Sequence, residues 1–392
     1  MFHGTPLIMV EDADALADMV RTLEKEPVIG IDTESDSSYS YQEKVCLIQL
    51  SNRDTDWIVD PLKIDDLSPM GPLLSDPSIV KVLHGADYDI VCLKRDFGFE
   101  FKNLYDTLIA AQLLGMERIG LADLIERYFG IELDKQYQRH NWALRPLRPE
   151  HLDYARGDTH WMCAVHELTT RQLRKAGRMR HMREECRLLQ KREWAHRDPS
   201  PHPWLDMKGI SKLDERAKKV LRFLWDYRDA QARRMDRPVY KVIPNQVLLQ
   251  LASQRPESMD ALDKLFRGKT AMKRRHGKGL VKAVQEGLAD DRPLPKPPKK
   301  KKAPRTGPKS RLHGRHADRA FAALKDWRNR VLADDDDLTA YMTASNSVLK
   351  SIASRRPYDL DELADIPDVR EWQVDDWGDD LLDVLDEIDP QE

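Results

Sequence analysis

The chain has 392 residues, 41% of them hydrophobic and 33% charged, with a formal net charge of −3; that length suits two or three domains rather than one core. No stretch approaches the roughly 18 consecutive apolar residues of a membrane-spanning helix. The start Met1-Phe2-His3-Gly4 has neither the basic residues nor the apolar run of an export signal, so a cytoplasmic protein without membrane contact is expected.

The first third alternates strand and helix patterns. Strands are predicted at 27–34 (PVIGIDTE), 45–51 (VCLIQLS), 57–60 (WIVD) and 79–84 (IVKVLH). Helices are predicted at 87–97, at 106–114 with Asp106 as N-cap, at 120–129 and at 148–170. The natural architecture is a mixed sheet flanked by helices over 1–170. Residues 171–194 read as one long basic helix, and Pro199, Pro201 and Pro203 end it, giving a connecting segment over 171–203. A compact helical unit is expected at 204–290, a disordered Pro- and Lys-rich linker at 291–314 and a second helical unit at 315–392.

The two helical units repeat each other. Val247–Pro256 (VLLQLASQRP) matches 348–357 (VLKSIASRRP) at an offset of 101, and Leu224-x-Asp-Tyr-Arg228 matches Leu324-x-Asp-Trp-Arg328 at an offset of 100. Two copies are too few for a solenoid and indicate a duplicated small all-α domain, suited to bivalent binding. Cys46, Cys92, Cys163 and Cys186 are far apart, without CxxC spacing, and read as reduced core thiols.

Charge is strongly partitioned. Residues 1–170 hold 30 acidic and 16 basic side chains, and residues 171–290 hold 15 and 30. Residues 291–358 hold 7 and 17, and residues 359–392 hold 15 and 1. A basic middle suits a polyanion, and an acidic module can hold cations. Lys273, Arg274, Arg275, Lys278 and Lys282 form the best local basic cluster for nucleic-acid phosphates.

The acids end the strands. Asp32 and Glu34 lie two apart on a predicted strand and share a face. In His84-Gly-Ala-Asp-Tyr-Asp89 the chain leaves a strand for a helix, and both Asp87 and Asp89 are candidates. Tyr154 and Asp158 share a helix face at i and i+4. Carboxylates on separate elements could form a hard-oxygen site for Mg²⁺ or Mn²⁺. Two such ions can clamp the attacking and leaving oxygens of a phosphoryl displacement. Beside a basic surface, such a cluster points to a metal-dependent nuclease.

The order Asp32-x-Glu34, Asp89 in HGADYD and Tyr154-x-x-x-Asp158 resembles the three motifs of DEDD-type 3′→5′ exonucleases, tyrosine-containing branch. Leu133-Asp-Lys, Trp142-x-x-Arg145-Pro146 and Tyr105-Asp106-Thr107 resemble the ribonuclease D family in particular, and the two repeats are similar to HRDC domains. The resemblance implies a ribonuclease H-like exonuclease domain. It also implies a two-metal mechanism that releases 5′-mononucleotides from single-stranded RNA 3′ ends, with tRNA precursors as substrates and a monomeric enzyme. Asp32 would bridge both metals. Glu34 and Asp158 would complete the site holding the attacking water, Asp89 would hold the second metal, and Tyr154 would orient the water. The motif selects Asp89 over Asp87, leaving Asp87 as a cap or supporting group, Asp106 as an N-cap and His84 as a core or supporting histidine. The rival expectations are a DNA exonuclease of the same superfamily and a catalytically silent RNA-binding scaffold.

Overall fold

The computed structural model describes residues 4–194, 202–266, 270–295, 309–335 and 338–388. The expected linker falls largely on 296–308, and the three-proline break on 195–201 with Pro203 beyond it; both stretches lie outside the described residues.

A six-stranded sheet organises the first half, with strands β1 (Leu7–Val10), β2 (Val28–Ser35), β3 (Val45–Ser51), β4 (Asp56–Val59), β5 (Val80–Leu83) and β6 (Leu104–Asp106). Its order is β1-β4-β3-β2-β5-β6. The β2–β3 and β3–β4 pairs are antiparallel; the other three pairs are parallel. The expected mixed sheet is therefore present. β3 is buried along its whole length, as befits a strand covered on both faces. β1 and β6, at four and three residues, are too short to show a period in sequence.

Helices α1 (Ala13–Leu23), α2 (Met70–Ser75), α3 (Asp87–Phe97), α4 (Thr107–Leu113), α5 (Leu121–Phe129) and α6 (Pro149–His160) surround the sheet. α7 (Met162–Lys175) and α8 (Met179–Gln190) complete this half. The helix expected over 148–170 is thus two, joined at Trp161. The long helix expected over 171–194 is also divided, because Gly177 adopts φ +70° and turns the chain. α8 is not an exposed connector. Its Met182, Cys186 and Leu189 join the sheet's apolar core together with Leu173 of α7, so that core continues past residue 170, where the sequence reading ended it.

The first repeat comprises α9 (Glu215–Arg234), α10 (Val239–Val242), α11 (Asn245–Gln254), α12 (Met259–Leu265) and α13 (Thr270–Ala289). The second comprises α14 (Arg315–Asp334), α15 (Asn346–Arg355), α16 (Leu360–Ala364) and α17 (Glu371–Asp386). Each has its own apolar core. The repeated arginine has the same task in both. Arg228 is buried and donates to the Ile243 carbonyl and to Asn245 Oδ1 at 3.2 and 2.6 Å. Arg328 donates to the Ala344 carbonyl and to Asn346 Oδ1 at 2.7 and 2.9 Å. Residues 311 and 312, read as linker, pack on the second unit, where both backbone N–H groups donate to the Ser354 carbonyl.

Both helical units are fastened to the sheet domain. Tyr41 donates its backbone N–H to Asp236 and its hydroxyl to Asp229, at 3.0 and 2.7 Å. The acidic last unit docks on α8: Arg180 pairs with Asp375 and Asp376, and Arg187 with Glu371. Glu184 accepts from the backbone N–H groups of Glu371 and Trp372, at 2.7 and 3.1 Å, and so caps α17 from another domain.

Candidate active site and metal centre

The carboxylates meet where β2, α3 and α6 converge. Gly30, Asp32 and Glu34 share one face of β2, and α6 lies across it. The approach is close because residue 30 has no side chain: a Cβ there would sit 2.9 Å from the Thr159 carbonyl oxygen and 3.0 Å from Met162 Cβ. Asp158 thereby reaches the sheet, and carboxylate oxygens of Asp32, Glu34 and Asp158 all lie within 4.8 Å of one another.

Three polar contacts fix α6 on the sheet. Arg156 donates to Asp56 of β4 at 2.8 and 2.5 Å, and the pair is buried. His160 lies 2.9 Å from the same carboxylate. The hydroxyls of Ser51 on β3 and Thr159 are 2.7 Å apart. Tyr154, half-buried one turn before Asp158, rests on Trp142 and Tyr137, with ring centroids at 5.8 and 6.1 Å. Trp142 is held by its neighbour Arg145, which grips Asp60 through two nitrogens at 2.6 and 2.8 Å. A cleft of about 460 Å³ lined by Leu133, Tyr137, Asp153, Tyr154, Gly157 and Asp158 opens at this point.

Asp89 is buried in the first turn of α3 and stands outside that trio of oxygens; it accepts a hydrogen bond from the hydroxyl of Thr33, which lies between Asp32 and Glu34. Asp87 is exposed and pairs with Arg192 at 3.1 Å; the cap position belongs to Ala86, so of the two roles expected for Asp87, cap or supporting group, the cap is not the one it takes. Asp106 caps α4 as expected, and also accepts from the backbone N–H groups of Gly85 and Ala86 at 2.9 Å, fixing the turn that leads to Asp89. His84 is half-buried with Nδ1 2.9 Å from the Thr107 hydroxyl, a supporting position. All four cysteines are buried and free.

Burial raises every carboxyl pKa in the cluster, and repulsion from the other members adds to it at Asp32, Glu34 and Asp158. Asp32 is held well above the usual carboxylate range by burial first, then by Asp89, Asp158 and Glu34. Burial followed by Asp158 and Asp89 pushes Glu34 to about 9. Asp158 rises to about 7 through burial and Asp89, and Asp89 to about 6, chiefly through burial. An all-oxygen donor set that cannot ionise fully on its own suits a hard divalent cation such as Mg²⁺ or Mn²⁺.

Without metal, these raised pKa values make stability depend on pH. The folded state keeps protons that the unfolded chain sheds near pH 4, so the cluster's contribution to stability is fully present below that pH and is lost as pH rises through about 9. Melting temperatures in EDTA should therefore decline from pH 5 to pH 9, and saturating Mn²⁺ should flatten the decline. A melting temperature that climbs with pH in EDTA would contradict the buried, self-repelling cluster.

The basic residues lie elsewhere, on α13. Arg274, Lys278 and Lys282 recur every four residues and are exposed on one stripe, with Arg275 beside it. Lys273 is mostly covered and paired with Asp263 at 2.6 Å, and Lys282 is 3.7 Å from Glu286. Sequence reasoning did not find Thr33, Gly30 or the Asp56–Arg156 pair. The one visible signal was an acid opening the strand after Thr55, whose partner lies 100 residues away.

The 3′-5′ exonuclease family profile matches residues 7–174, and the HRDC domain profile matches 217–284 and 317–385. The chain belongs to the 3′-5′ exonuclease family and carries two HRDC domains. Within that family its whole length aligns with ribonuclease D: it is 28% identical over 384 residues to ribonuclease D of Gluconacetobacter diazotrophicus, covering 97% of this chain and 93% of that protein. The crystal structure of Escherichia coli RNase D, an exoribonuclease involved in structured RNA processing, matches with a TM-score of 0.65 and 27% identity, over 97% of this chain and 98% of that one. An exosome complex component 10 homolog of Drosophila melanogaster is 34% identical over 265 residues, 66% of this chain and 29% of that protein. The chain spans 29% to 46% of the length of the relatives of exosome component 10 and RRP6 type that it matches.

Proposed function

We propose that the protein is a metal-dependent 3′→5′ exoribonuclease that trims single-stranded RNA 3′ ends, tRNA precursors among them, and releases 5′-mononucleotides. The observation that carries this reading is the convergence of Asp32, Glu34 and Asp158 within 4.8 Å, beside the cleft that Tyr154 lines. Two divalent cations, Mg²⁺ or Mn²⁺, would be held by Asp32, Glu34, Asp89 and Asp158, and would supply charge stabilisation for attacking and leaving oxygens. The chain's own residues do the rest. The substrate would be a single-stranded end, whose bases can be splayed to enter the cleft. The exposed stripe of α13, Arg274, Lys278 and Lys282 with Arg275 beside it, would hold the RNA body by its phosphates; Lys273, covered and paired with Asp263, is left out of that surface. The reading includes a monomer in the cytoplasm; no helix among the described residues is long and apolar enough to cross a membrane.

Tyr154 has a defined part in this scheme. Burial, then the charges of Asp158, Glu34 and Asp32, raise its pKa, so its hydroxyl stays protonated and acts as a hydrogen-bonding group rather than a base. It would orient the attacking water. Tyr154→Phe should lower kcat about ten- to a hundredfold, the worth of one hydrogen bond to a charged or reacting group, and leave RNA affinity unchanged. A matching fall in RNA affinity would make Tyr154 a binding residue instead.

The reading is tested by digesting 5′-labelled RNA and DNA oligonucleotides of one sequence in Mg²⁺, in Mn²⁺ and in EDTA. Stepwise shortening of RNA from the 3′ end, stopped by EDTA, is the expected result. Preferential digestion of DNA would favour a DNA exonuclease. RNA binding without cleavage in either metal would leave an RNA-binding scaffold.

A further inference from the structure

The sheet face beneath α6 contains a polar side chain that the site as described does not use. Gln49 lies on β3 directly across the antiparallel ladder from Asp32. Residues so paired point to the same face, with Cβ atoms about 5 Å apart. Gln49 is 0% exposed, and neither its amide nitrogen nor its amide oxygen has a hydrogen-bond partner among the described residues. A buried amide left in that state is costly, and natural proteins contain few of them.

Its surroundings on that face narrow the choice of partner. Leu47 lies two residues back on β3 and Ile58 pairs with Gln49 from β4; both belong to the apolar cluster that includes Trp142 and Ala155. Ser51 lies two residues on, but its hydroxyl is engaged by Asp56 and Thr159. Asp32 is the polar side chain directly opposite. We propose that Gln49 is a positioning residue of the metal centre: its amide N–H donates to the Asp32 carboxylate when that group takes up a divalent cation, fixing the direction the carboxylate faces.

Carboxylates that ligate metals are themselves held by hydrogen bonds from a surrounding shell, and loss of such a partner weakens metal binding about 10- to 100-fold. A hydrogen bond to an ionised carboxylate is also stronger than one between neutral groups. The burial of the amide is then offset in the metal-loaded state and not in the metal-free one. The inference rests on the metal-site reading above, and the two fail differently.

The test uses the full chain and no substrate. Mn²⁺ binding is titrated calorimetrically, and thermal unfolding is followed in EDTA, for the parent, Gln49→Met and Gln49→Leu. Both variants remove the donor and keep an apolar side chain of similar size. The expected result is unfolding in EDTA at the parental temperature or above, because an unpaired buried amide is gone, together with Mn²⁺ affinity about 10- to 100-fold weaker. Parental Mn²⁺ affinity in the variants overturns the proposal. So does unfolding of both variants in EDTA, since the amide would then support the metal-free sheet. A parent chain that binds no Mn²⁺ overturns the metal site itself.

Discussion

Asp32→Asn should lower RNA hydrolysis by on the order of 10³-fold, the scale on which loss of a preorganised charge at a reacting centre is felt. Asp32 stands on β2 between Gly30, where the helix bearing Asp158 touches the sheet, and Glu34, and its pKa is raised by all three other acids of the cluster. Asparagine keeps the shape but removes the charge that a pair of cations would share. RNA affinity should not change, because the basic stripe of α13 belongs to a separate core. The metal-free variant should also be more stable than the parent at pH 8, since one member of a self-repelling set has become neutral. Single-turnover cleavage, filter binding and melting in EDTA test all three points. Retention of more than a tenth of the activity in Mg²⁺ would remove Asp32 from the centre.

Arg156→Met should destabilise the exonuclease domain by about 3 kcal/mol or more, the cost of leaving one partner of a buried ion pair alone. Asp56 is fully buried, and Arg156 is 6% exposed. His160 and the Ser51 hydroxyl stay on Asp56, which places the effect at the lower end of that range. Arg156 also donates to the Thr5 carbonyl at 2.9 Å, just before β1, so one side chain joins α6 to the edge of the sheet. Activity should fall with stability, because α6 carries both Tyr154 and Asp158. Adding Asp56→Asn should recover part of the loss, since no uncompensated charge then remains. Native-state hydrogen exchange along β3 and β4 measures the change. A loss below about 1 kcal/mol would mean that the close packing at Gly30, not the ion pair, holds the helix.

The sheet's inner strands, the cap at Asp106 and the duplicated helical unit were legible because each is local: a short apolar run, an acid before an apolar helix, a repeated decapeptide. What the sequence hid was long-range. Nothing near Gly177 distinguishes a turn from a tolerated helical glycine. The basic residues of α8 belong to the stretch that suited a polyanion in sequence, yet Arg180 and Arg187 are occupied by the protein's own acidic last helix, 184 to 196 residues away. The acid motifs were readable through a family likeness. The groups that aim them, Thr33 on Asp89 and Arg156 on Asp56, were not, because their partners sit 56 and 100 residues distant.

Gly30 carries a last consequence. The span across which the three carboxylates face one another is the gap between a strand and a helix, and that gap is set where a hydrogen atom occupies the place of a methyl group. Close-packed interiors transmit such displacements instead of absorbing them. The calibre of the proposed ion site is thus governed by a residue with no polar side chain and no charge. Discrimination between cations of different radius would then be tuned from behind the carboxylates, by the thickness of the layer on which they are mounted.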